Sequence, residues 1–306
     1  MKRIIFLLLI STLVQTNSFN QPTVDLYNNG PVPNSRPCDE KEVSVKTNSG
    51  KAGVASVVRP TLQVFSPEVR NATGTSVIIC PGGGYGRLSI EHEGWEVARA
   101  FNAMGITAFV LKNRLPGTAC MERKETGPLM DVQQAIKLVR ENAATYKIDA
   151  SKIGVMGFSA GGHLASSLGT HYDEVVITNP KSTSLRPDFM VLLYPVISMK
   201  DSLTHRGSRD NLIGKTPTDA LVDRFSNEEQ VTTKTPITFL VHAADDNAVI
   251  PANSILFFQA LQRNKVPAEM HIYQNGGHGF GLHNVTTKDE WMERLKNWFL
   301  KNALLK

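Results

Sequence analysis

Residues Lys152-Ile-Gly-Val-Met-Gly-Phe-Ser-Ala-Gly-Gly-His163 decide how this chain is read. An apolar run, Ile153 to Met156, leads into Gly157-Phe158-Ser159-Ala160-Gly161, and a helix-compatible segment follows from Gly162 to about Leu168. Strand, sharp turn and helix in that order form the context in which a G-x-S-x-G string presents its serine as a nucleophile. The turn is too tight for a side chain on either flank, so Gly157 and Gly161 leave Ser159 room to point outward. The helix behind it aims its first N–H groups and positive dipole end at the place where negative charge would form on an attacked carbonyl. By composition the bare pattern arises about 0.1 times in a chain of this length, so a glycine-rich turn with an ordinary serine is the competing reading. The flanking strand and helix, a glycine loop upstream, and an acid and a histidine downstream favour the nucleophile.

The 306 residues are 41% hydrophobic and 20% charged, an ordinary globular composition, and the uninterrupted pattern predicts one domain. A net charge of +5 raises the question of nucleic acid, but Lys and Arg are scattered and no basic run of five or six occurs. The charge reads as solvated surface, with no nucleic-acid partner. Met1-Lys2-Arg3 followed by apolar Ile4 to Val14, with small Thr16 and Ser18, predicts a signal peptide over residues 1–18, cleaved before Phe19. An apolar core of that length is short of the ~20 residues a membrane span requires, so no span is expected in the mature chain. Cys38, Cys80 and Cys120 lack the spacing of a zinc site or a disulfide framework; one pair can form, and the sequence does not say which. Nothing in the sequence marks an oligomeric state.

Residues 20–56, rich in Pro, Asn, Gly and Lys, read as a surface extension with a short strand at Val43 to Val45. Val57 to Phe65 reads as a strand at or near a sheet edge, because Pro60 lies within it. Ser76 to Cys80 is a buried strand ending in Pro81-Gly82-Gly83-Gly84-Tyr85-Gly86. No P-loop lysine follows, so a phosphate cradle is disfavoured. An oxyanion-binding loop fits better, since it stands two sheet elements before the elbow. Helical spacing over Glu93 to Met104 and from Val132 to about Tyr146 alternates with apolar strands at Ile106 to Leu111 and Phe189 to Tyr194. That alternation predicts an α/β fold with a mostly parallel sheet and helices on both faces. Residues 195–235 lapse into polar, turn-rich sequence and read as an excursion with short helices over the active-site edge. Ile237 to His242, a helix over 252–264, Ala268 to Tyr273, and a helix with Trp291, Leu295, Trp298 and Phe299 complete the sheet.

After a serine nucleophile, an α/β-hydrolase places an acid and then a histidine. Asp245 and Asp246 both lie in the loop after the strand ending at His242; Asp246 is preferred because the acid of such enzymes commonly stands three residues before a valine that returns the chain to a helix, here Val249. The base is His278, in the glycine-flanked loop Asn275-Gly276-Gly277-His278-Gly279-Phe280. His92, His163, His171, His205, His242, His271 and His283 show no metal-binding spacing and read as surface or hydrogen-bonded structural residues. In this scheme His278 takes the Ser159 proton, Asp246 holds its tautomer, and the N–H groups of Ala160 and of Gly83 or Gly84 bind the oxyanion.

PGGGYG at 81–86, Glu93-Gly94, Asn113-Arg114-Leu115-Pro116, GFSAGGHLAS at 157–166, His205-Arg206-Gly207-Ser208, the His242 to Asp246 string and Gly276 to Phe280 together resemble a known group. The chain is similar, from about Asp25 onward, to exported α/β-hydrolase esterases of bacterial polysaccharide degradation, nearest to acetylxylan esterases. The resemblance implies deacetylation of plant cell-wall oligo- or polysaccharide without metal or cofactor, and a triad of Ser159, Asp246 and His278. Pro81 replaces the histidine that begins the glycine loop of related esterases. A feruloyl or general short-chain ester substrate, and a silent hydrolase fold used for binding, are the alternatives.

Overall fold

In the computed structural model, which describes residues 21–305, the apolar runs of the sequence become the inner strands of one sheet. The strands are β1 (Thr23–Asp25), β2 (Val43–Lys46), β3 (Ala52–Ala55), β4 (Thr61–Phe65), β5 (Ser76–Cys80), β6 (Arg87–Leu88), β7 (Thr107–Lys112), β8 (Ile153–Phe158), β9 (Phe189–Leu193), β10 (Ile237–Ala243) and β11 (Ala268–Tyr273). The helices are α1 (Glu96–Ala103), α2 (Gly127–Glu141), α3 (Ala143–Tyr146), α4 (Ser159–Thr170), α5 (Arg206–Ile213), α6 (Asp219–Arg224), α7 (Ala252–Arg263) and α8 (Trp291–Lys301). The expected leader, residues 1–18, lies outside the described residues.

Eight strands pair in the order β1-β4-β7-β5-β8-β9-β10-β11. The pairings of β4 with β1 and with β7 are antiparallel, and the other five are parallel. Parallel strands need helical crossovers that cover both faces, which is why the inner strands are apolar throughout. In β5, Val77 and Ile79 point into the layer shared with α1 and α8, while Ile78 and Cys80 point into the layer of α2, α4 and α7. The α8 side chains Trp291, Leu295, Trp298 and Phe299 recur at helical spacing on its buried stripe. Complete burial of one such side chain contributes about 1.5–3 kcal/mol. The chain leaves β5 for β7 on one side and then crosses to β8 on the other. The loops after β5 and β8 therefore diverge at the carboxyl ends, where open α/β sheets place their sites.

The structure departs from the sequence reading in local detail. Residues 20–56 are more than a surface extension, because β2, where the short strand was expected, pairs with β3 and β3 with β6 in a separate antiparallel sheet. The strand expected over Val57 to Phe65 starts at Thr61, since Pro60 has no N–H for a ladder; it lies near the sheet edge as expected, with only the short β1 outside it. The elbow helix starts at Ser159, and the helix expected to run to Tyr146 starts at Gly127, with Pro128 in its first turn, and breaks at Asn142. Cys38 and Cys120 form a disulfide that ties the N-terminal segment to the loop after β7, leaving Cys80 free and buried. Residues 195–235 carry α5, α6 and a short 3-10 turn at Asn227–Glu229. Among the described residues no helix is long and apolar enough to cross a membrane.

Candidate active site

Ser159 stands where β8 turns into α4 and has φ +51°, a left-handed conformation that non-glycine residues rarely hold. A Cβ on Gly157 would run into the Gly161 carbonyl, and one on Gly161 into the carbonyls of Cys80 and Pro81. Strand, helix and glycine loop thus meet backbone to backbone, and the strain at Ser159 is held by the packing around it. The side chain is presented at the carboxyl edge of the sheet, with the α4 N-terminus behind it.

The loop after β11 brings His278 to Ser159. His278 Nε2 lies 2.8 Å from Ser159 Oγ, and its Nδ1 lies 2.7 Å from Asp246 Oδ2. Asp246 is buried in the loop after β10, and its Oδ1 accepts the N–H groups of Ala248 and Val249, each at 2.9 Å. Burial alone would raise the Asp246 pKa, but hydrogen bonds from His242, His278 and Val249 outweigh it and hold the carboxyl well below the usual range. His242, buried at the end of β10, aims Nε2 at the Val249 carbonyl (2.8 Å) and at Asp246 Oδ2 (3.3 Å). Since a carbonyl only accepts, that nitrogen carries the proton. His242, read from sequence as a surface or hydrogen-bonded structural histidine, thus braces the Asp246 carboxylate. Asp245 faces away: its Oδ1 accepts the Gly277 N–H at 2.8 Å and its Oδ2 the Asn275 amide at 3.3 Å, which fastens the histidine loop.

The glycine loop lies directly against the elbow: a Cβ on Gly82 would stand 2.9 Å from the Ser159 Cβ. Gly82 donates its own N–H to Glu93 Oε2 at 2.8 Å, while the N–H groups of Gly83 and Gly84 donate to no acceptor among the described residues. With the first-turn N–H of Ala160 they are the donors left to face an oxyanion. Asn211 of α5 donates to the Gly84 carbonyl at 2.7 Å. His205, the α5 N-cap, accepts the Ser208 N–H on Nδ1 and sets its ring over Gly84. Burial lowers the His205 pKa, with the His278 charge acting in the same direction. His163 lies apart from Ser159: its Nε2 donates to the Phe225 carbonyl and its Nδ1 accepts the Tyr85 hydroxyl, both at 2.8 Å. Burial lowers its pKa to about 4, so it is neutral at pH 7.

Sequence reasoning gave no site role to Glu93 or Tyr194, which lie beneath the site, and read His205 and His242 as surface or hydrogen-bonded structural residues. Their one sequence signal is a polar side chain beside a glycine loop or at a strand end. Among the described residues no cluster of three His, Cys, Asp or Glu side chains has the form of a metal site.

The family profile BD-FAE matches residues 62–261, a stretch from β4 to α7 that includes Ser159 and Asp246. The chain belongs to the BD-FAE family. This BD-FAE chain is 35% identical over 239 residues to an acetylxylan esterase of Xylanibacter ruminicola, an alignment covering 76% of the chain and 46% of the esterase. It is 38% identical over 217 residues to endo-1,4-beta-xylanase B of Butyrivibrio fibrisolvens, covering 70% of the chain and 34% of that enzyme. The chain thus spans less than half the length of these two relatives. Among solved structures, the acetyl ester-xyloside bifunctional hydrolase of Caldicellulosiruptor lactoaceticus superposes with a TM-score of 0.73 at 40% identity, covering 81% of this chain and 90% of that one. The BD-FAE chain therefore has the α/β-hydrolase fold.

Proposed function

We propose that the chain is a serine esterase that removes acetyl groups from xylan or a related plant cell-wall polysaccharide. The observation that carries this reading is His278 held between Ser159 and Asp246 at hydrogen-bond distance on both sides. Similarity to an acetylxylan esterase supports the substrate class.

A serine hydroxyl is a weak nucleophile at neutral pH, so its proton must leave as the Oγ–C bond forms. His278 Nε2 takes that proton. Asp246, ionised across the working pH range, accepts from Nδ1, fixes the tautomer and stabilises the imidazolium. The tetrahedral oxyanion is met by the N–H groups of Ala160 and of Gly83 or Gly84; loss of one such donor typically costs about 2.7–4 kcal/mol of barrier. Collapse expels the sugar hydroxyl, which receives the proton from His278 and leaves acetate esterified to Ser159. Water, deprotonated by the same histidine, attacks the acyl-enzyme, acetate departs, and Ser159 regains its proton. No step uses a cofactor.

Export is part of the proposal. Residues 1–18 have the order of a signal peptide, and the Cys38–Cys120 disulfide suits an oxidising compartment such as the periplasm or the medium. Intact-mass analysis of the protein recovered outside the cytoplasm checks it, a chain beginning at Phe19 being expected and one retaining Met1 opposing it.

The function is tested by acetate release from acetylated xylan beside feruloylated arabinoxylan and an aryl acetate, with wild type and Ser159→Ala. The proposal expects acetate from xylan and a fall of about 10⁴-fold or more in the variant. Release from the aryl acetate alone keeps the chemistry and overturns the xylan assignment. Inactivity on all three substrates overturns the proposed esterase chemistry.

A further inference from the structure

Beneath the triad lies a buried carboxylate that the mechanism above does not use. Glu93 sits in a π-helical turn, Glu91–Trp95, ahead of α1 and is only 5% exposed. Its Oε2 accepts the Gly82 N–H at 2.8 Å, and its Oε1 accepts the Tyr194 hydroxyl at 2.9 Å. The Tyr194 oxygen accepts the Gly281 N–H, also at 2.9 Å. Three bonds in line thus run from the glycine loop after β5, through one carboxylate and one phenol, to the loop that carries His278. The Tyr194 ring, at the end of β9, also lies edge-on to the His278 imidazole with centroids 5.0 Å apart.

The donors fix the protons. The two glycine N–H groups donate, to Glu93 Oε2 and to the Tyr194 oxygen, and the Tyr194 hydroxyl donates to Glu93 Oε1. Both Glu93 oxygens then act as acceptors, which is the arrangement of an ionised carboxylate. Burial raises the Glu93 pKa, opposed by the Gly82 and Tyr194 hydrogen bonds and by the charges of His278 and His92. Burial raises the Tyr194 pKa well above its usual value, with the Glu93 charge adding to it, so the phenol keeps its proton. The groups that face His278 are Ser159 of α4, Asp246 of the loop after β10, Tyr194 just after β9, His205 at the N-cap of α5 and, beneath them, Glu93.

We propose that Glu93, acting through Tyr194, is a positioning residue that sets the oxyanion loop and the histidine loop at one spacing, and that its buried negative charge favours the His278 imidazolium formed during attack. The proposal rests on the serine-esterase reading. A brace of this kind affects the barrier more than binding, since a misplacement of about 1 Å at a reacting centre can cost about 10²-fold in rate.

The test measures kcat, KM and the pH profile on an aryl acetate for wild type, Glu93→Gln and Tyr194→Phe, with melting temperatures alongside. Glu93→Gln keeps the shape but removes the charge and one acceptor. It should lower kcat about 10- to 100-fold with KM within about 3-fold. The acid limb of kcat/KM should move to lower pH, because the imidazolium loses a negative neighbour. Tyr194→Phe cuts the bridge but leaves the carboxylate, so kcat should fall while the acid limb moves less than in Glu93→Gln. If Glu93→Gln does not fold, the Tyr194→Phe kcat decides. Wild-type kcat in either folded variant, or losses that only follow melting temperature with an unmoved pH profile, overturn the proposal. An inactive wild type overturns the esterase reading itself and, with it, this one.

Discussion

Replacing Asp246 or its neighbour Asp245 with asparagine separates the carboxylate that serves the histidine from the one that fastens its loop. In Asp246→Asn the amide oxygen can still accept from Ala248 and Val249, which places the NH2 group where Oδ2 now receives His278 Nδ1 and faces His242 Nε2. Two donors then oppose each other. The imidazole must shift its proton to Nε2, and the nitrogen beside Ser159 Oγ can no longer accept the serine proton. A kcat loss of about 10⁴-fold is expected, which at ~1.36 kcal/mol per factor of ten is about 5 kcal/mol of transition-state stabilisation. In Asp245→Asn the remaining oxygen still accepts one of the two bonds from the 275–277 loop, and kcat should stay within about tenfold of wild type. The assay is steady-state hydrolysis of an aryl acetate near pH 7.5, with circular dichroism to establish folding. A folded Asp246→Asn retaining a tenth of wild-type kcat, or Asp245→Asn falling further than Asp246→Asn, would refute the assignment.

Gly161→Ala drives a methyl group into the Cys80 and Pro81 carbonyls, so it should destabilise by about 1–3 kcal/mol or more and lower kcat, read as a drop in melting temperature of several degrees. His163 titrates at about 4 when folded against 6.5 when free, so the unfolded chain takes up its proton first. Stability should therefore fall by up to about 3 kcal/mol as pH drops from 6.5 towards 4, and urea melts at pH 7 and 4.5 should show a smaller drop for His163→Gln than for wild type. The Cys38–Cys120 bridge closes a separation of 82 residues, so Cys38→Ser should lose about 2–4 kcal/mol, with a reductant lowering the wild-type melting temperature and leaving the variant unchanged.

Ser159 and His278 were legible because each stands in a short glycine-flanked string after a strand, where backbone geometry dictates residue type, whereas Asp246 was legible by its place in the loop after β10. The choice of Asp246 over Asp245 rested on its distance from Val249, and the structure supplies a reason for that spacing: the Val249 N–H closes a turn onto Asp246 Oδ1. The supporting shell could not be read in this way. Glu93 meets Tyr194 across 101 residues and Tyr85 meets His163 across 78, pairings that exist only once the sheet has formed. Of the small sheet only β2 was expected, because a two-residue β6 and the Ala-Gly-Val-Ala of β3 carry too little periodicity to mark a strand. The cysteine pairing needed Cα positions, which spacing along the chain does not supply.

The most direct test of the central claim, that Ser159 is the nucleophile, is peptide mass mapping after reaction with an aryl phosphonate that traps an acylating serine. The account predicts one phosphonyl group per chain on the peptide carrying Ser159, with parallel loss of esterase activity and no labelling of Ser159→Ala. Labelling at a different residue, or full inhibition with Ser159 unmodified, would contradict it.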